Sequence, residues 1–109
     1  MATDSVLVNG VTATLADTLE TIYSASVDTL IKAVTVTNPT NINASYVMNI
    51  VPSSGDITKP EIPFRVVVRL KSDLAAEVTG QVIPAGGSLR IETSAANSIS
   101  FRVTGRVLS

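Results

Sequence analysis

Ser88-Leu89-Arg90-Ile91-Glu92-Thr93 alternates polar and apolar positions with period two, and so does Ser98-Ile99-Ser100-Phe101-Arg102-Val103-Thr104. A pleated strand sends successive side chains to opposite faces, so each segment predicts a strand with one buried and one outward face. A third run predicts the same, with Phe64, Val66, Val68 and Leu70 inward and Arg65, Val67, Arg69 and Lys71 outward. Val11 to Leu15 and Leu19 to Tyr23 are shorter candidates. Leu30 to Thr37 and Ala44 to Val51 are apolar on parts of both faces, as strands covered on both sides are, and are expected as central strands or as strands with a partner protein on the outside. A weaker strand is expected over Glu77 to Ile83, and a short helical turn over Ser72 to Val78.

Turn residues separate these runs. Asn38-Pro39-Thr40-Asn41, Pro52-Ser53-Ser54-Gly55-Asp56, Pro84-Ala85-Gly86-Gly87 and Ala95-Ala96-Asn97 combine residues that preset turn dihedrals with residues that bond back to the backbone. Short strands punctuated in this way predict an all-β fold, a small antiparallel sandwich of seven or eight strands with little or no helix. The chain has 109 residues, the size of one domain. Residues 11–109 are read as that sandwich. Asn9-Gly10, between Val6-Leu7-Val8 and Val11-Thr12-Ala13, is a strong hairpin signal. Residues 1–10 are therefore expected as a short hairpin strand or as an arm towards a neighbouring subunit.

Composition narrows the picture. Charged residues make up only 16% of the chain, against a norm of about 25%. A β protein with so few charges leans towards assembly with partners. Net charge is −1, which disfavours nucleic-acid binding by bulk electrostatics. The charges are uneven: residues 1–58 sum to −4 and residues 59–109 to +3. The N-terminal residues carry neither the basic start nor the apolar core of a signal peptide, so synthesis in the cytoplasm without export is expected. No aliphatic run is longer than three residues, as in Val66-Val67-Val68, far short of the ~20 residues of a membrane helix, and no membrane partner is expected.

Catalytic chemistry has little to work with. There is no His and no Cys, which removes the commonest general base, the usual zinc ligands and any thiol nucleophile. No S-x-x-K spacing occurs. Asp17 and Glu20 are close in sequence, but nothing suggests a cleft around them. Gly86-Gly87 belongs to no phosphate-loop motif. Asp56 stands alone, and Asp73 with Glu77 is not a calcium loop. No catalytic residue, cofactor, metal or small-molecule substrate is therefore expected. Single-stranded nucleic acid would need exposed aromatics, yet Phe64 and Phe101 fall on expected core faces.

The outward basic residues suggest a surface instead. Arg65, Arg69 and Lys71 share one strand face, and Arg90 and Arg102 face outward from two others. In one sheet they would form a positive face, either simply solvated or docking an acidic neighbour such as the −4 half of another copy. Val67 among these arginines favours an interface.

Leu30-Ile31-Lys32-Ala33-Val34-Thr35-Val36-Thr37-Asn38, leading through a polar turn to Tyr46-Val47-Met48-Asn49-Ile50-Val51-Pro52-Ser53-Ser54-Gly55, resembles small tailed-phage virion proteins. In those an "I-K-x-[VI]-x-[VL]-T-N" strand precedes one ending "[LI]-V-P-S-x-G". Ile83-Pro84-Ala85-Gly86-Gly87-Ser88-Leu89 and Ser94-Ala95-Ala96-Asn97-Ser98-Ile99-Ser100 are similar to their ending. The likeness spans roughly residues 19–107. It implies a jelly-roll-like sandwich on the exterior of a virion, a decoration (cement) protein that binds the major capsid protein and copies of itself as a homodimer or homotrimer. On that reading the contacts are Val6, Leu7 and Val8 of the N-terminal segment, with Arg65, Val67, Arg69 and Arg102. The alternative is a carbohydrate- or receptor-binding module of a phage head or tail fibre, for which only Tyr23 and Tyr46 could stack on a sugar.

Overall fold

The computed structural model describes residues 4–54 and 61–108; Asp56, at the end of one expected turn cluster, lies outside them. The described strands are β1 (Asp4–Thr12), β2 (Glu20–Ser24), β3 (Thr29–Asn38), β4 (Ala44–Val51), β5 (Ile62–Val67), β6 (Lys71–Leu74), β7 (Val82–Ile83), β8 (Ser88–Thr93) and β9 (Ser100–Val107). The expected helical segment is strand β6 followed by a single 3₁₀ turn at Ala76–Val78, and only its last two residues make the strand expected up to Ile83.

Two antiparallel sheets pack face to face, in the orders β1-β9-β3-β6 and β2-β8-β4-β5, with β7 added to β3. Leaving β7 aside, the pairs nest: β1 with β9, β2 with β8, β3 with β6, β4 with β5. A long hairpin rolled up on itself pairs in this way, and the contacts of β9 with β3 and of β8 with β4 close the roll. That is the topology of a jelly roll.

The inner faces supply the core: Val34 and Val36 of β3, Tyr46 and Met48 of β4, Leu89 and Ile91 of β8, Phe101 and Val103 of β9 are all buried. Each such side chain contributes about 1.5–3 kcal/mol by leaving water. The Tyr46 and Phe101 rings meet edge to face across the sandwich, centroids 5.8 Å apart. The segments Leu30 to Thr37 and Ala44 to Val51 form β3 and β4, which hold interior places in their sheets, and the mixed faces of β3 also have a local cause. A register shift between Ile31 and Ala33 inserts an extra residue, so Ile31 points inward before it, Val34 and Val36 after it, and Lys32 and Ala33 remain exposed.

Residues 4–10 are neither a separate arm nor a hairpin. They run continuously into β1, an edge strand on β9, and the register shifts between Asn9 and Val11. Gly10 sits there at φ +72°, the left-handed conformation that a glycine bulge requires. The Asn-Gly pair therefore bends a strand without reversing it. A second shift near Leu7 interrupts the same edge, and bulged edges resist unwanted strand pairing.

A candidate docking surface on the β5 edge and the loop end

Strand β5 carries the largest departure from the expected pattern. Ile62 lies opposite Met48 and Arg65 opposite Tyr46, so β5 has one residue more than β4 over this stretch. Pro63, which has no N–H to give to the ladder, sits within that bulge on the free edge of the sheet. From there Arg65 and Val67 face inward while Phe64 and Val66 face out. Val67 is 2% exposed, and Phe64 is 66% exposed. Val68, Leu70 and, on β6, Leu74 are also exposed. The faces are the reverse of those read from hydrophobicity alone.

Arg65 can face inward because it closes the open side of the sandwich. Its Nη1 donates to Asp73 Oδ2 at 3.3 Å, and its Nη2 pairs with Glu77 Oε2. Tyr46 reaches the same carboxylate from the core, its hydroxyl donating to Asp73 Oδ2 at 2.9 Å. Burial pushes the Tyr46 phenol above the usual tyrosine range, and the bond to Asp73 adds to this. One acid on β6 thus ties β4, β5 and β6 together.

The expected contact residues therefore separate. Val8 belongs to the core, Leu7 is half-buried, and Val6 is exposed. Val67 is core and Arg65 is engaged within the chain. Arg69 lies in the β5–β6 turn, and Arg102, on the other sheet, donates to Asn9 Oδ1 at 3.0 Å. These basic residues form no single positive face, since β5 and β8 belong to one sheet and β9 to the other. The charge split is partly neutralised inside the fold: Arg106 pairs with Asp4 across β9 and β1. Tyr46, one of the two tyrosines available for a sugar, is buried in the core and closed to stacking.

What the structure brings together is apolar. Register places the β1–β2, β3–β4, β5–β6 and β8–β9 connections at one end of the roll: Thr12 pairs with Ser100, Asn38 with Lys71, Ala44 with Val67 and Tyr46 with Thr93. The connections are bonded to each other. Asn97 N–H donates to the Ala13 carbonyl at 2.8 Å, and Leu70 N–H to the Thr40 carbonyl at 3.1 Å. Arg69 N–H donates to Asn43 Oδ1 at 3.0 Å. Leu15, Ile42, Val68 and Leu70 are exposed on this braced end. At the opposite end Ser26, Asp28, Ala85 and Gly86 face solvent. Sequence reasoning had Phe64, Val66, Val68 and Leu70 in view but placed them in the core; Ile42 and Leu74 it passed over.

Among the described residues no group of three metal-ligating side chains is present. Comparison with family models, curated proteins and solved structures returns no match to this chain.

Proposed function

We propose that this chain is a structural virion protein that decorates the outside of a bacteriophage capsid and reinforces it through contacts with the major capsid protein. The observation that carries the reading is the Phe64–Val66 stripe on the outer side of edge strand β5, continuous with Val68 and Leu70 at the loop end. An aromatic residue two-thirds exposed beside exposed aliphatics gains nothing for the fold and fits a partner surface. The jelly-roll topology and the sequence resemblance to small phage virion proteins point the same way, and without His or Cys the commonest catalytic routes are closed. Repetition over a symmetric shell lets modest contacts suffice through avidity.

The test is co-sedimentation with capsids of the phage that encodes the chain, followed by imaging of the particles. Wild-type protein saturates defined surface sites, and Phe64→Ser, which keeps the fold, loses most of that occupancy. Particles that carry none of the wild-type chain overturn the reading.

A further inference from the structure

Leu70 is an unusual residue for its position. It takes φ +58°, the left-handed region, in a turn where Lys71 N–H donates to the Val68 carbonyl at 3.1 Å. Glycine or asparagine suits such a site. Leucine is strained there, and being 66% exposed it recovers nothing by burial. Neither conformational preference nor core packing accounts for it, whereas a contact outside the chain would.

The surroundings indicate which contact. Across the loop end the connections succeed one another as β1–β2, β8–β9, β3–β4 and β5–β6, as the sheet orders require. The band they form carries Leu15 and Asp17 at one extreme and Leu70, Arg69 and Lys71 at the other, with Ile42 between. All six are exposed. No side-chain partner is found within the chain for Asp17, Arg69 or Lys71 among the described residues. A band acidic at one extreme and basic at the other, with Leu15, Ile42 and Leu70 set among exposed polar residues along it, is complementary to itself once turned by a half rotation.

We infer that the loop end is a two-fold interface with a second copy of this chain, Leu15 and Asp17 of each copy against Leu70, Arg69 and Lys71 of the other. A two-fold contact is satisfied by one self-complementary patch and closes after two copies. Size permits it. A ten-residue strand spans about 33 Å, so the strands follow the 42 Å dimension and the end measures 28 × 21 Å. Such a footprint hides roughly 1,000 Å² over both partners, the lower bound for specific association. The dimer is therefore weak in solution and strengthens where copies are concentrated. The inference stands apart from the capsid reading.

Sedimentation velocity from about 1 to 500 µM tests it, a range that brackets weak association. The wild-type chain passes from monomer to dimer with rising concentration. Leu70→Asn remains monomeric throughout while its melting temperature rises, because asparagine relieves the strained turn; this pairing separates a lost interface from a damaged fold. Asp17→Asn and Arg69→Gln each weaken the dimer about three- to tenfold, as losing two exposed ion pairs would. The double variant is no weaker than the worse single one within a factor of two, since both remove the same pairs. A wild-type chain monomeric at every concentration, a Leu70→Asn variant that still dimerises, or strictly multiplicative single effects overturns the inference. Capsid co-sedimentation of Leu70→Asn reports separately: where the wild-type chain is monomeric at every concentration, loss of shell binding by this variant assigns the loop end to the shell instead.

Discussion

Leu7 lies directly over Gly105. A Cβ at Gly105 would stand 2.7 Å from Leu7 Cδ1 and 2.3 Å from the Leu30 carbonyl oxygen. The bulge that makes Leu7 an extra residue in β1 also lays its side chain across the glycine of β9. Gly105→Val should therefore destabilise the chain by about 2 kcal/mol or more, through overpacking against backbone that cannot yield. Urea unfolding checks this, and a change under half that size would mean that β1 and β3 move apart freely.

Strand β5 offers a direct contrast between neighbours. Val67→Ser leaves a polar group and a void in the core and should cost about 2–4 kcal/mol. Val66→Ser, on the exposed side, should lie within about 0.5 kcal/mol of wild type. Denaturant midpoints of the two variants measure the orientation of the strand, and the opposite ranking would restore the faces expected from hydrophobicity.

The Tyr46 phenol has a pH signature. Its affinity for the proton is raised in the folded state above the ordinary value of 10.0. Below that pH its contribution is fully present. Above it the unfolded chain releases the proton while the folded chain retains it, so stability falls by up to about 1.4 kcal/mol per pH unit until the folded group ionises too. Tyr46→Phe is less stable at neutral pH for want of the bond to Asp73, but its stability should decline less steeply between about pH 10 and 11.5. Parallel slopes for the two proteins would contradict the assignment.

Leu70→Asn is also a prediction about the monomer. Relief of a left-handed leucine should raise stability by about 1 kcal/mol. Thermal unfolding at a concentration too low for association isolates this gain, and a loss of stability would show that Leu70 packs within its own chain.

The fold was legible where alternation is regular. β8 and β9 follow the period-two pattern closely, and Pro, Gly and Asn mark the connections between strands. The face of β5 was not legible. An inward arginine is acceptable only because Asp73 and Glu77, eight and twelve residues on, meet it, and Pro63 is the only local sign of the bulge. The same limitation turned Asn9-Gly10 into a hairpin: glycine's left-handed conformation serves a turn and a bulge equally, and only the pairing partner, some ninety residues away, decides between them. The docking residues were visible as hydrophobic positions, but alternation reports which residues share a face and not which face is covered.

The nested pairing has a consequence for how the chain is made. β8 and β9 come last among the described strands, yet each occupies an interior place in its sheet: β9 between β1 and β3, β8 between β2 and β4. Until residues 88–107 have left the ribosome, β1 and β2 have no strand to pair with. The two strands they await, one in each sheet, act as a keystone that sets both layers at once. Assembly of the two sheets therefore waits for this segment and is governed by slow, distant contacts, and the nascent chain must keep its apolar strands apart until β8 and β9 arrive.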